Sequence, residues 1–230
     1  MPSGARARWY GAMVDDLLPA EPDLELLHTR DYQVRSYRKG QNLLIRGAVR
    51  DLKPAGMYVV DDPDPLQIHH MVVDMEVAYP SMEIVDARVV FETHPHGACP
   101  TIADHYGKLV GLSIARGFTH KVRELFGGPR GCTHTTALLQ AMGPVAIQST
   151  WSMRVADQPA DGVRLRRPRS PAERKLMFAS NLNTCHVWAE DGEHVAAIDR
   201  GEEPEMPVWM IDRMAKLGID LTEITDRWRG

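Results

Sequence analysis

Apolar and polar residues alternate along two neighbouring stretches in the first half of the chain. In residues 71–79 every odd position is apolar, and a similar alternation follows over residues 85–92 after a turn at Pro80 and Ser81. A period of two is typical of strands that bury one face. Two earlier strands are predicted over residues 32–35 and 42–49, on either side of a turn at Lys39 and Gly40. The pattern therefore predicts an antiparallel sheet.

A helical period replaces this alternation after residue 100. Apolar residues at positions 109, 112 and 114 form one stripe, and a short helix is predicted to end at Gly127 and Gly128. A further helix is expected to begin with Thr133 as its N-cap and to be kinked or restarted at Gly143 and Pro144. The order predicts an α+β fold in which an antiparallel sheet packs against helices.

The last third of the chain carries different signals. Asp191 and Gly192 predict a hairpin between residues 184–190 and 193–198. Two amphipathic tail helices are expected, one over residues 207–218 and one from Asp220 onward. We therefore expect an N-terminal arm over residues 1–28, an α+β core over residues 29–200 and a C-terminal helical extension over residues 201–230.

Composition excludes several classes of protein. The 230 residues are 43% hydrophobic and 25% charged, and the net charge is −4. These values are typical of one globular domain with elaborations, and they give no reason to expect a nucleic-acid partner. No apolar stretch approaches the roughly 20 residues of a membrane span, and no signal core is seen. We expect a cytoplasmic protein with no membrane partner; a homo-oligomer remains open.

Each of the three cysteines lies close to a histidine in the sequence. An odd number without paired spacing argues against a disulfide framework. Four residues are candidate metal ligands, and their nitrogen and sulfur atoms would suit zinc or iron: His94, His96, Cys99 and Cys132. Alternatively, the cysteines are small buried hydrophobic residues and no cofactor is required.

A glycine-rich turn over residues 127–131 leads into Cys132, Thr133 and His134. Glycine permits close approach of a ligand, and a cysteine at a helix start lies near the positive end of the helix dipole. The alternative is a plain helix connection with a buried cysteine. His105 and Tyr106 are candidates for proton transfer, and Arg123 is a candidate for binding an anion unless it lies on a solvated face.

A series of short motifs resembles a bacterial domain family long catalogued as one of unknown function. The resemblance covers most of residues 28–198 and differs at Thr135, where leucine is expected. These motifs carry it: Arg30-x-Tyr32, Arg46-Gly47-x-Val49-x-Asp51-x-Lys53-Pro54, His70-Met71, Ile84-x-Asp86-Ala87, Pro95-x-x-x-Cys99, Leu109-x-Gly111-Leu112, Gly117-Phe118-Thr119, Gly127-Gly128-x-x-Gly131-Cys132-Thr133-His134 and Asn183-Thr184-Cys185.

Members of that family are implicated as phenylcoumaran gamma-formaldehyde lyases in the breakdown of lignin-derived aromatics. The resemblance implies a carbon–carbon lyase that releases formaldehyde from a small aromatic substrate and leaves a stilbene. For that reaction we expect His134 as base, Tyr106 or His105 as proton relay and Arg123 as partner of the phenolate. The order of elements is also similar to iron–sulfur scaffold proteins, so the alternative is a metal- or cluster-binding scaffold without catalysis.

Overall fold

The structure is a computed structural model that describes residues 18–19, 22–157, 170–202 and 206–220. The chain divides into two compact units, Met1–Met153 and Arg154–Gly230. Most of the predicted N-terminal arm and the predicted last helix lie outside the described residues. No helix in the described ranges is long and apolar enough to cross a lipid bilayer.

The first unit is built on the predicted antiparallel sheet. Its strands are β1 (Thr29–Lys39), β2 (Asn42–Lys53), β3 (Leu66–Val77) and β4 (Ile84–Thr93). They lie side by side in chain order, and each pairs antiparallel with the next. The two turns predicted from the sequence, at Lys39–Gly40 and at Pro80–Ser81, connect β1 to β2 and β3 to β4.

The odd-numbered residues of β2 and β3 form the core face of the sheet. Each of the following is no more than 2% exposed: Leu43, Ile45, Val49, Met71, Val73, Met75 and Val77. Because side chains alternate along a strand, every odd position of these strands up to Asp51 and His69 faces the same side. Register shifts between Asp51 and Leu52 mark where this alternation ends on β2.

Helices cover the core face. A 3₁₀ segment (Cys99–Leu109) follows the sheet, and α1 (Phe118–Phe126) and a short 3₁₀ turn (Gly128–Arg130) lead to α2 (Thr133–Ala156). A Cβ atom on Gly47 would lie 2.7 Å from Met142 Sδ, so the missing side chain lets α2 approach β2 closely. The predicted α+β class is confirmed.

The helix α2 continues through Pro144, so of the two predicted alternatives, a kink or a restart, the restart was wrong. Proline removes a single helical hydrogen bond. Met142 and Ala146, on either side of it, are fully buried. Packing of the α2 face therefore outweighs the local preference that predicted a break.

The second unit is helical where it is described. It contains α3 (Pro171–Phe178), α4 (Glu193–Asp199) and α5 (Val208–Leu217), with 3₁₀ turns at Ala179–Asn181 and His186–Trp188. The predicted hairpin around Asp191 and Gly192 was wrong. The Gly192 carbonyl accepts the first hydrogen bond of α4 from Ala196 at 3.0 Å, so the glycine begins a helix and does not turn a hairpin. The first predicted tail helix is confirmed as α5, which ends at Gly218 in the left-handed region.

Candidate functional site

A buried carboxylate lies at the centre of the candidate site. Asp51 continues the core-facing row of β2 and is 1% exposed. Arg30 lies directly across from it on β1 and donates two hydrogen bonds, from Nε to Oδ1 at 2.6 Å and from Nη2 to Oδ2 at 2.7 Å. This two-bond geometry is the strongest that a guanidinium makes with a carboxylate. It neutralises a charge that could not otherwise remain buried.

Two histidines bind the same carboxylate oxygen. His69 Nδ1, from the neighbouring strand β3, lies 3.0 Å from Asp51 Oδ2, and His134 Nε2, from the first turn of α2, also lies 3.0 Å from that oxygen. The two imidazole rings are stacked with their centroids 3.9 Å apart. A third histidine, His28, lies just before β1 with Nε2 3.5 Å from Asp51 Oδ1. The cluster thus draws on three strands and one helix.

The charges within this cluster decide which nitrogen carries each proton. Arg30 holds the pKa of Asp51 well below its ordinary value, so this carboxylate is ionised and can only accept hydrogen bonds. Burial lowers the pKa of His134, and the nearby His69 and Arg30 act in the same direction. At neutral pH His134 is therefore neutral, with its proton on Nε2 facing Asp51 and a lone pair on Nδ1.

The glycine-rich turn positions His134 and its neighbour Cys132. The Cys132 carbonyl accepts the first hydrogen bond of α2 from Thr136, which places the N-cap one residue before the predicted Thr133. Cys132 Sγ lies 3.7 Å from His134 Nδ1. A Cβ on Gly131 would lie 2.6 Å from the Phe126 carbonyl oxygen, so this glycine is needed for a close approach.

Tyr106 lies beneath this turn. It is 1% exposed, and its hydroxyl accepts a hydrogen bond from the Cys132 backbone N–H at 2.8 Å. Burial raises its pKa, so the hydroxyl stays protonated. The structure therefore brings three of the predicted residues together, namely Tyr106, Cys132 and His134. Tyr106 contacts the backbone that carries the other two.

The other predicted catalytic residues lie elsewhere. His105 donates from Nε2 to the Leu125 carbonyl at 3.1 Å and packs edge-on against Phe126. Arg123 has an exposed position on α1, where its backbone carbonyl accepts from Gly127. In the described part of the chain, no recorded hydrogen bond or ion pair joins either side chain to Asp51.

The predicted metal ligands are not brought together in the described residues. His94 Nδ1 donates to the His96 carbonyl at 2.9 Å, and the Cys99 amide donates to that same carbonyl, also at 2.9 Å. Both bonds are local. Within those same ranges, one group places three or more ligand atoms within 4.8 Å of one another, and it consists of Asp51, His69 and His134.

This trio has the donor types of a zinc or iron site, but Arg30 already occupies both oxygens of its carboxylate. A cation bound at Oδ2 would lie next to the guanidinium and would be repelled by it. The hydrogen bonds of the cluster are satisfied without an ion. The donor set therefore suits a metal poorly unless Arg30 moves away.

Sequence reasoning missed Arg30, Asp51 and His69 as members of the site. The signal was present in the alternation: positions 51 and 69 have the same parity as the buried residues of their strands. A charged residue on a core-facing row needs a partner. Following that row beyond its last apolar residue would have indicated Asp51.

One comparison with known proteins identifies the family. Residues 28–148, slightly more than half of the chain, match the family model described as "Protein of unknown function (DUF2889)". The chain belongs to this family. The matched residues include β1 to β4 and all of the side chains of the Asp51 cluster. No curated protein and no solved structure shows significant similarity to the chain.

Proposed function

We propose that this protein is a carbon–carbon lyase that releases formaldehyde from the gamma carbon of a phenylcoumaran-type aromatic dimer and leaves a stilbene. Such a reaction needs a base for the alcohol proton, an acid for the departing phenolate oxygen and a cation near that oxygen. The observation that carries the proposal is the pair of stacked histidines bound to buried Asp51.

The two histidines supply the proton-transfer groups. His134 is neutral at neutral pH, and its Nδ1 lone pair can take the proton of the gamma hydroxyl. His69 donates to Asp51 through Nδ1, so its Nε2 carries a lone pair and can give a proton to the departing oxygen only after it has first taken one up. Since Asp51 fixes both rings in orientation, neither has to reorganise when a proton moves.

Arg30 is the cation that this geometry favours for the phenolate. Its side chain is 37% exposed although two of its five N–H donors bind Asp51. Arg123, which we expected from its place in the sequence to fill the same role, has no hydrogen bond or ion pair to the cluster in the described residues. Exchanging each arginine for lysine in turn and measuring KM for the phenolic substrate distinguishes the two, because lysine keeps the charge but loses the planar fork.

Apolar segments leave the sheet at the same end as Asp51. The segment before β1 exposes Leu24, Leu26 and Leu27, and the connection from β2 to β3 exposes Tyr58, Val59 and Val60 by 63–89%. Exposed apolar side chains at the end of the sheet that carries a polar cluster offer surface to a ligand with aromatic rings. These segments support an aromatic substrate over a small hydrophilic one.

The direct test is to incubate the purified protein with a phenylcoumaran and to measure formaldehyde and the absorbance of the stilbene. His134→Gln should reduce turnover by about 10²–10⁴-fold, as expected for loss of a general base. The matched control is His96→Gln in the exposed segment before the 3₁₀ helix, which should retain the parent rate. Absence of formaldehyde from the folded parent protein, with each stereoisomer tried, would refute the proposal.

The second candidate function is a metal-binding scaffold without catalysis, for which Asp51, His69 and His134 have the spacing but which would require Arg30 to release Asp51. Elemental analysis of the purified protein separates the two candidates. A stoichiometric zinc or iron content that is lost in Asp51→Ala would support the scaffold. A protein free of metal that releases formaldehyde at an unchanged rate in a chelator would support the lyase.

A further inference from the structure

The thiol of Cys132 lies in a chain of three functional groups. Its Sγ is 3.7 Å from His134 Nδ1, and the opposite nitrogen of that ring is 3.0 Å from Asp51 Oδ2. A nucleophile next to a base, with the base oriented by a third group, is the arrangement that activates cysteine and serine side chains. Neither other cysteine has a recorded histidine contact of this kind in the described residues.

The direction of the proton follows from the cluster. Asp51 is ionised and accepts the Nε2 proton, so Nδ1 carries the lone pair that faces the thiol. An S–H group donates weakly, and a neutral imidazole nitrogen accepts it. Stacking against His69 fixes the orientation of the His134 ring, and the two hydrogen bonds from Arg30 fix the carboxylate of Asp51.

The backbone around Cys132 would also stabilise the negative charge that the sulfur carries once its proton has passed to His134. The Tyr106 hydroxyl accepts a hydrogen bond from the Cys132 amide, and Cys132 is the N-cap of the 24-residue helix α2. The N-terminus of a helix carries a partial positive charge that stabilises a nearby anion. This contribution adds to the histidine contact and would not by itself indicate a reactive thiol.

We infer that Cys132 is a nucleophile that adds reversibly to the carbonyl carbon of a small aldehyde and forms a thiohemiacetal. His134 Nδ1 takes the proton as the S–H bond breaks, and the sulfur forms a bond to the carbonyl carbon. The electron pair of the C=O π bond moves to the oxygen, which then takes the proton back from His134. No oxidant or reductant is needed, and the overall reaction is thiol plus aldehyde to S–CH(OH)R.

The choice of aldehyde rests on the proposed function, because a formaldehyde-releasing site would generate that compound within reach of Sγ. Holding the product as an S-hydroxymethyl group would hinder its return to the stilbene. The nucleophilic character of Cys132 does not depend on the lyase reaction and is measured without any aromatic substrate.

The test compares the three cysteines of the parent protein within one sample. Alkylation by iodoacetamide at neutral pH is followed by peptide mass spectrometry. Cys185 is exposed, whereas Cys132 and Cys99 are half-buried. Access alone would therefore make Cys185 the fastest. We expect Cys132 to react at least about tenfold faster than either of the others, and His134→Gln to abolish this advantage.

The aldehyde is tested by adding formaldehyde alone before alkylation. Cys132 should be protected at a formaldehyde concentration about tenfold lower than Cys185, because His134 beside the sulfur can hydrogen-bond the hydroxyl group of the adduct and stabilise it. Equal alkylation of the three thiols would overturn the inference. If Cys132 is alkylated fastest but formaldehyde does not protect it preferentially, the assignment to aldehydes is overturned. Failure of the lyase is seen separately, as absence of formaldehyde from a phenylcoumaran.

Discussion

Two arginine–aspartate pairs lie next to each other across β1 and β2. They share one contact distance but differ in how far their carboxylates are exposed to water. Arg30 faces Asp51 and Arg50 faces Asp31 in adjacent register positions, and the Nη2–Oδ2 contact is 2.7 Å in both pairs. Because side chains alternate across a sheet, the first pair faces the core and the second faces outward. Asp51 is 1% exposed, whereas Asp31 is 45% exposed.

Equal distances therefore do not mean equal roles. Exposed ion pairs typically contribute between 0 and about 1 kcal/mol, because water competes for both charges. The inner carboxylate has lost its water and depends on Arg30, His69 and His134 for every hydrogen bond. The same two residue types form a surface contact on one face of the sheet and the centre of the candidate site on the other.

The largest difference between the two pairs is expected in the rate of formaldehyde release, when each aspartate is replaced by asparagine. Asp51→Asn removes the charge that fixes the Nε2–H tautomer of His134, so formaldehyde release should fall by about 10³–10⁴-fold, as in other sites where such an aspartate is replaced. Asp31→Asn should leave the rate unchanged. Steady-state assays on both folded variants provide the measurement, and similar losses in the two would remove the distinction between the pairs.

The next largest difference is expected in the free energy of unfolding, when each arginine is replaced by glutamine. Arg30→Gln leaves Asp51 buried without its cation, which should cost about 2–3 kcal/mol, less than for a fully buried pair because Arg30 is partly exposed. Arg50→Gln should cost at most about 0.5 kcal/mol. Denaturant unfolding at neutral pH measures both changes.

The pH dependence of the difference in stability between the parent protein and Arg30→Gln gives a second check on the Arg30–Asp51 pair. Arg30 lowers the pKa of Asp51 in the folded protein, so its contribution is present above the ordinary pKa of 3.8 and is lost as the pH falls below that value. The difference in the free energy of unfolding between the parent protein and Arg30→Gln should therefore decrease below pH 3.8. A gap that stays constant into acid would show that the two residues are not coupled.

A smaller effect on stability and turnover is expected from a substitution in the glycine-rich turn that precedes His134. A Cβ at Gly131 would lie 2.6 Å from the Phe126 carbonyl oxygen and 3.0 Å from the Tyr106 hydroxyl. Gly131→Ala should thus cost about 1–2 kcal/mol and lower turnover by displacing Cys132 and His134. Gly97 has nothing within 4 Å of the same position, so Gly97→Ala is the matched control. Thermal unfolding and the formaldehyde assay should separate the two glycines.

The smallest predicted change is a shift in the pH profile. The pKa of His134 is lowered from 6.5, and a base is active only when neutral, so the acid limb of kcat/KM should lie below pH 6.5. Arg30→Gln removes a positive charge that contributes to this lowering and should move the limb to higher pH. Arg50→Gln should not move it. An acid limb above pH 6.5 in the parent protein would exclude His134 as the base.

Much of the fold was readable from the sequence because its signals are local. The alternation in residues 71–79 predicts the strand β3, and the glycines after Phe126 predict the end of α1. The Gly-Cys-Thr-His block likewise indicated the start of α2 and singled out His134. Local signals failed at Pro144 and at Gly192, where a residue compatible with two conformations took the one that the surrounding packing or hydrogen bonding required.

The sequence by itself determined the four strands, the alternation of faces along β3 and the helix that carries His134. Only the tertiary structure decided which acid that histidine meets. Asp51 is 83 positions away from His134, and the two are joined because α2 packs closely over Gly47 and the strand register sets Arg30 and His69 on either side of Asp51. Side-chain periodicity is a property of a few neighbouring residues, whereas register and helix packing depend on contacts between distant ones.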